Sequence, residues 1–314
     1  MRATLTELWE RLFFAPASPI ALACCRIAVC LAYAGFLLWP AARVGEDFVA
    51  FAALPDWAWH PQSYHAWFEQ YPLSPEATRV CFWIWWASLL TTAAGWHTRA
   101  SSVVAAIGTL FFSLVVFDFS GRTGHNTLFL FFWVVMVLPF SRCGDALSID
   151  AWRSGEVVPP SGEYRWPVQA VAVLFGLVFF AGGVSKLLVT GPGWASSGSL
   201  ELWMIRNSGY TNHDPLFPAG AWLKTLSPLL PLFAAGALLA ELLAITVPFS
   251  RWARRLVVPG LFAMQTGIAL LMGVHLTYFV NYLPFLPWDA LVARLGGPRR
   301  QEQPVPLEAS RAVP

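Results

Sequence analysis

Residues 167–194 read "PVQAVAVLFGLVFFAGGVSKLLVTGPGW", and their reading decides the fold. Positions 167–185 carry no charge, and at about 1.5 Å per helical residue they extend about 28 Å, the thickness of a bilayer's hydrocarbon core. The run closes with small residues, a serine, then Lys186 and a glycine-proline turn. Lysine is rare here: of 20 basic residues only Lys186 and Lys224 are not arginine. A lysine at the end of a membrane-length run therefore calls for an explanation.

The rest of the chain matches that stretch. Of 314 residues, 57% are hydrophobic and 12% charged, with 17 Trp, 24 Phe and a mean hydropathy of +0.55. Soluble domains carry about twice that share of charge. The composition points to an all-α, polytopic transmembrane helix bundle. A net charge of +2 offers no basic face for nucleic acid. The expected partner is the lipid bilayer, and the expected location is the cell membrane. Five cysteines (Cys24, Cys25, Cys30, Cys81, Cys143) form no C-x-x-C pair, so neither a disulfide framework nor a metal site is expected. The adjacent Cys24 and Cys25 read as a packed helix face.

Apolar runs predict spans near 20–39, 79–95, 100–118, 125–140, 167–188, 228–249, 256–272 and 274–289. The last two are one long run, split where Gly273, Val274 and His275 offer a turn; without the split the count is seven. Under eight spans, 13 of the 20 basic residues fall on one side and six on the other. The positive-inside rule then puts both termini in the cytoplasm. Residues 1–19 read as an amphipathic segment lying on the membrane surface, 20–292 as the transmembrane domain, and 293–314 as a disordered cytoplasmic tail. Two long outer loops, 40–77 and 189–227, are rich in Trp, Tyr, Pro and Gly and are expected to pack against the outer face. No internal sequence repeat is visible, so an inverted-repeat transporter has little support.

Ionisable groups inside spans are costly and mark function or pairing. Arg26 lies about two turns into the first span and Glu241 a little past the middle of the sixth. Counting along the helices puts both in the cytoplasmic half, so a structural ion pair is predicted; the alternative is a snorkelling arginine and a protonated glutamate. Lys186 sits at the outer end of the fifth span. His125 and Asn126 open the fourth span from the same side, just after Asp118 and Arg122. An apolar mouth would favour a neutral amine there, which lysine can supply and arginine cannot. The ordinary reading is a lysine anchored among headgroups.

The ordered motifs carry a resemblance. "SPIALACCRIAV", "GHNTLFLFFWVVMVLPFSRCGDALSIDAW", "FAGGVSKLLVTGPGWASSGSL", "LLAELLAITVPF" and "QTGIALLMGVHLTYFVNYLPFLPWD" together resemble the bacterial HTTM family, over about residues 15–292. That family's domain is similar to the membrane part of vitamin K-dependent gamma-carboxylase. The resemblance implies that Lys186, in "VSKL", matches the lysine that deprotonates vitamin K hydroquinone, and that His125 matches a histidine of the same site. It implies a quinol cofactor of menaquinone or vitamin K type, and a peptide or lipid substrate at the outer face. Asn126, Trp194, Asp118 and Gln265 are the candidate quinone-binding groups. Gln265 departs from the pattern, since many members have histidine there, and glutamine cannot pass a proton. The resemblance covers only the carboxylase's membrane part, and no counterpart of its large lumenal part is expected.

Two functions follow as expectations. One is a quinone-linked membrane oxidoreductase or carboxylase-like enzyme with Lys186 as base. The other is a non-catalytic membrane module that binds a lipid or assists the maturation or export of a partner protein.

Overall fold

The computed structural model describes residues 4–38, 40–58, 71–119, 132–196, 198–209, 227–272 and 276–294. Among these the chain is helical, with no strand beyond a single bridge between Ala17 and Ser161. Helix starts follow local chemistry. Thr4 and Glu7 form a reciprocal capping box on α1 (Leu5–Phe13). Ser18 and Pro19 start α2 (Pro19–Ala32), which continues as a π-helical turn over Tyr33–Leu37. Ser74 and Pro75 start α4 (Pro75–Ala94), and Gly95 ends it in the left-handed conformation at φ 70°.

The segment at 40–77, expected as a loop, contains α3 (Ala41–Ala52). Aromatic and proline-rich residues follow it in the sequence, whereas α3 itself has an apolar face. Phe48 on that face packs edge-on to Phe112, with ring centroids 4.8 Å apart, and to Trp85, and lies tilted against Phe82. The second long segment likewise contains α9 (Ser199–Gly209). The remaining elements are α5 (Thr98–Phe119), α6 (132–137), α7 (Ile149–Ser154), α8 (Arg165–Thr190), α10 (Leu230–Leu243), α11 (Arg251–Met272), a 3-10 stretch over Leu276–Phe285 and α12 (Trp288–Arg294).

Two aromatic cores organise these helices. In the first, Trp85 stacks on Phe112 at 5.0 Å and 14°, and its indole N–H donates to Thr109 Oγ1 at 2.9 Å. Gly108 makes that approach possible, since a Cβ there would lie 2.4 Å from Trp85. In the second, Phe175 and Phe179 of α8 meet Tyr282 and Phe285. A small apolar gap lined by Leu22, Val134, Val137, Pro167 and Val171 marks where α2, α6 and α8 meet.

α5 and α11 are each 22 residues long, and each follows the preceding helix, α4 or α10, across a short connection. Among the described residues two helical stretches, Gly162–Ala195 and Ser227–Thr246, are long and apolar enough to cross a membrane, with mean hydropathies of 2.1 and 2.0. The start of the predicted fourth span, the turn at 273–275 and the tail from 295 lie outside the described residues.

Candidate functional site

α8 and α10 run antiparallel, and small residues set their register. A Cβ on Gly183 would lie 3.1 Å from Glu241 Cβ and Leu242 Cδ2, and one on Gly176 would lie 2.7 Å from the Ala244 carbonyl. Further along, Gln169 Nε2 donates to the Pro248 carbonyl at 2.8 Å. This register carries Lys186, one helical turn beyond Gly183, onto Glu241.

Lys186 Nζ donates to both carboxylate oxygens of Glu241. The lysine side chain is 29% exposed and the glutamate 8%, so the carboxylate forms the floor and the amine the mouth. Trp194, on the 3-10 turn Gly191–Ala195, offers its ring 5.0 Å from Nζ. An ammonium there gains both a counter-ion and the negative face of an indole. Leu188 and Val189 next to it are more than four-fifths exposed, so the pair sits in an apolar surface.

The predicted pairing of Arg26 with Glu241 is corrected by this geometry: Glu241 belongs to Lys186. Counting residues assumed one continuous span through 249, but α10 stops at Leu243 and a 3-10 turn follows over Ala244–Thr246. Arg26 finds partners that linear counting cannot show. Fully buried, it donates from Nη1 to the carbonyls of Cys143 and Ala146, and from Nη2 to those of Leu147 at 2.6 Å and Ala93 at 3.4 Å. Leu147 is held at φ 48°, an uncommon conformation for a non-glycine residue. Its carbonyl is one of those Arg26 gathers.

Helix α7, which follows that loop, holds a second polar arrangement. Asp150 accepts from the His97 amide at 3.0 Å and from the Thr98 amide and hydroxyl, each at 2.7 Å, capping the start of α5 from a distant element. Burial works against its ionised form, but the Thr98 and His97 donors win and hold this carboxyl below its ordinary value. A cleft of about 370 Å³ opens beside it, lined by Arg99, Arg142, Asp145, Asp150 and Glu156 among others. Arg142 is bound to Asp145 at 2.7 Å and to Glu163 at 3.2 Å, so the cleft concentrates no single sign of charge.

Of the other candidates, only Gln265 has its side chain among the described residues. Gln265 lies half-buried on α11, and none of the hydrogen bonds, ion pairs or ring contacts of Lys186 involves it. Asp118 lies on α5, with its side chain outside the described residues, as are His125 and Asn126 altogether. All five cysteines are free thiols, and among the described residues no three His, Cys, Asp or Glu groups gather as for a metal. The missed partner had one sequence signal, the small-residue run "AGG" just before Lys186, which lets another helix approach closely. Comparison with protein families, curated proteins and solved structures gives no match for this chain.

Proposed function

We propose that this chain is a multi-pass membrane protein of the HTTM type, crossing the bilayer about eight times, and that the Lys186–Glu241–Trp194 cluster serves quinol-linked chemistry at its outer end. The membrane reading is supported by an inverted surface. Ile107, Leu232 and Leu239 are well over half exposed, while Arg26 and Glu241 are buried. Lipid tolerates that arrangement and water does not. It is also supported by the division of basic residues, 13 against six, between the two sides.

The single observation that carries the chemical reading is the contact of the Lys186 amine with a buried carboxylate. In water such a pair is ammonium and carboxylate. Glu241 lies within hydrogen-bond reach of the amine, so a proton given up by Lys186 has an acceptor beside it, and the freed amine would be the base toward an acidic hydroxyl placed at the mouth. Trp194 gives a flat face against which an aromatic ring can stack. A quinol, when bound, would supply the redox chemistry; the chain supplies the base, the proton store and the stacking surface.

The test is quinol-dependent oxygen uptake by the purified protein. Lys186→Ala is expected to abolish it and Lys224→Ala to preserve it; equal activity in both variants would remove Lys186 from the mechanism. The same ion pair also favours the second reading, a non-catalytic module that binds a lipid, since a carboxylate partner stabilises the charged lysine. Lys186→Arg separates the two. A guanidinium keeps the pair with Glu241 but cannot act as a base near neutral pH, so the enzyme loses activity and the module keeps its function.

A further inference from the structure

We infer that the end of the molecule formed by the starts of α8 and α11 binds an anionic phospholipid through its phosphate. The inference rests on the bilayer reading and concerns a different region from Lys186. Four arginines gather there. Arg165 Nε donates to the Leu12 carbonyl at 2.9 Å, joining α8 to the end of α1. Arg254 donates to Gln169 Oε1 and the Pro248 carbonyl, each at 2.8 Å, and lies close enough to Arg165 for their charges to repel. Arg251 and Arg255, one helical turn apart, both lie over the Trp252 ring, at 5.7 and 5.4 Å.

Among the described residues none of the four has a carboxylate within ion-pair distance. Glu163, a near neighbour of Arg165 in sequence, is taken by Arg142. Concentrated positive charge without internal compensation calls for an external anion. The apolar surroundings say which kind. Phe249, Trp252 and Leu256 are exposed by 56%, 59% and 72%, directly beside the arginines. A free phosphate would use the guanidinium groups and leave those side chains in water. A phospholipid uses both, with its phosphate between Arg251 and Arg255 and its acyl chains against Leu256 and Phe249. The indole belongs at the headgroup level, where one end is apolar and the other wet.

The full chain is reconstituted in nanodiscs of phosphatidylcholine containing a minor fraction of phosphatidylglycerol. Lipid retained on the extracted protein is then measured by native mass spectrometry. Selective retention of phosphatidylglycerol is expected. It should fall about tenfold or more in Arg251→Gln/Arg255→Gln, by the loss of two cations near the headgroup. The charge-matched pair Arg99→Gln/Arg153→Gln, exposed and assigned to the same side, should retain it. Equal losses in both double variants would reduce the effect to bulk surface potential and overturn the site. Equal retention of both lipids would do the same, as would full displacement by millimolar inorganic phosphate. A chain that fails to enter nanodiscs would overturn the bilayer reading as well, so the two failures are distinguishable.

Discussion

At the scale of single residues, the buried Arg26 and the part-exposed Lys186 behave differently because their partners differ. Arg26 is met by backbone carbonyls, which cannot take its proton, so it stays a fixed cation that pins the 143–147 loop. Lys186 is met by a carboxylate, which can. Removing one member of a buried pair typically costs about 3–5 kcal/mol, whereas replacing both with apolar groups is often near neutral. Lys186→Met and Glu241→Leu should each lower stability in detergent, and the double variant should recover most of the loss. Additive losses in chemical unfolding would show that the contact is not energetically coupled. Asp150 gives a pH prediction. Its folded carboxyl ionises more readily than in the unfolded chain. Its contribution is therefore complete above the ordinary aspartate value, near 3.9, and is lost as pH falls through the lower folded value. Asp150→Asn should remove that part of the acid limb of the stability profile and cost about 1 kcal/mol at neutral pH, as for lost helix caps. An unchanged acid limb would count against it.

At the scale of elements, helix contacts turn on a few glycines. Gly108 lets Trp85 lie flat on Phe112, and even a methyl group there would intrude. Gly108→Ala should destabilise by about 1–3 kcal/mol through overpacking and perturb tryptophan fluorescence. Gly182, with nothing within 4 Å of a built Cβ, is the control. Gly182→Ala should be neutral or stabilising by up to about 1 kcal/mol, since alanine is the better helix former. If the two variants behave alike in thermal unfolding, close approach is not what Gly108 provides. The apolar runs of α2, α4, α5, α8, α10 and α11 were legible as helices because each run is long and apolar, with Ser-Pro starts on α2 and α4 and a glycine end on α4. α3 was not, because twelve residues of mixed character become helical only when Phe48 finds the ring cluster on α4 and α5.

At the scale of the whole molecule, α4–α5 and α10–α11 are helix pairs joined by short connections. If the chain crosses the bilayer eight times with both termini inside, the turns at 95–97 and 247–250 face the same side and α3 and α9 face the other. Reporter fusions of alkaline phosphatase after residues 96 and 250 should be inactive, and those after 53 and 196 active. A fusion after 294 decides between eight and seven spans, being inactive for eight. An active fusion at 96 or 250 would reverse or break the orientation.

Composition and apolar run length alone determined that this chain is a bundle of hydrophobic helices, because helices form on local periodicity and local caps. They also singled out Lys186, Arg26 and Glu241, since charge stands out against an apolar background. Which of them meet was decided only in three dimensions. The register of α8 on α10 depends on glycine contacts between helices more than 50 residues apart in the chain, and no count along one helix reaches across that gap.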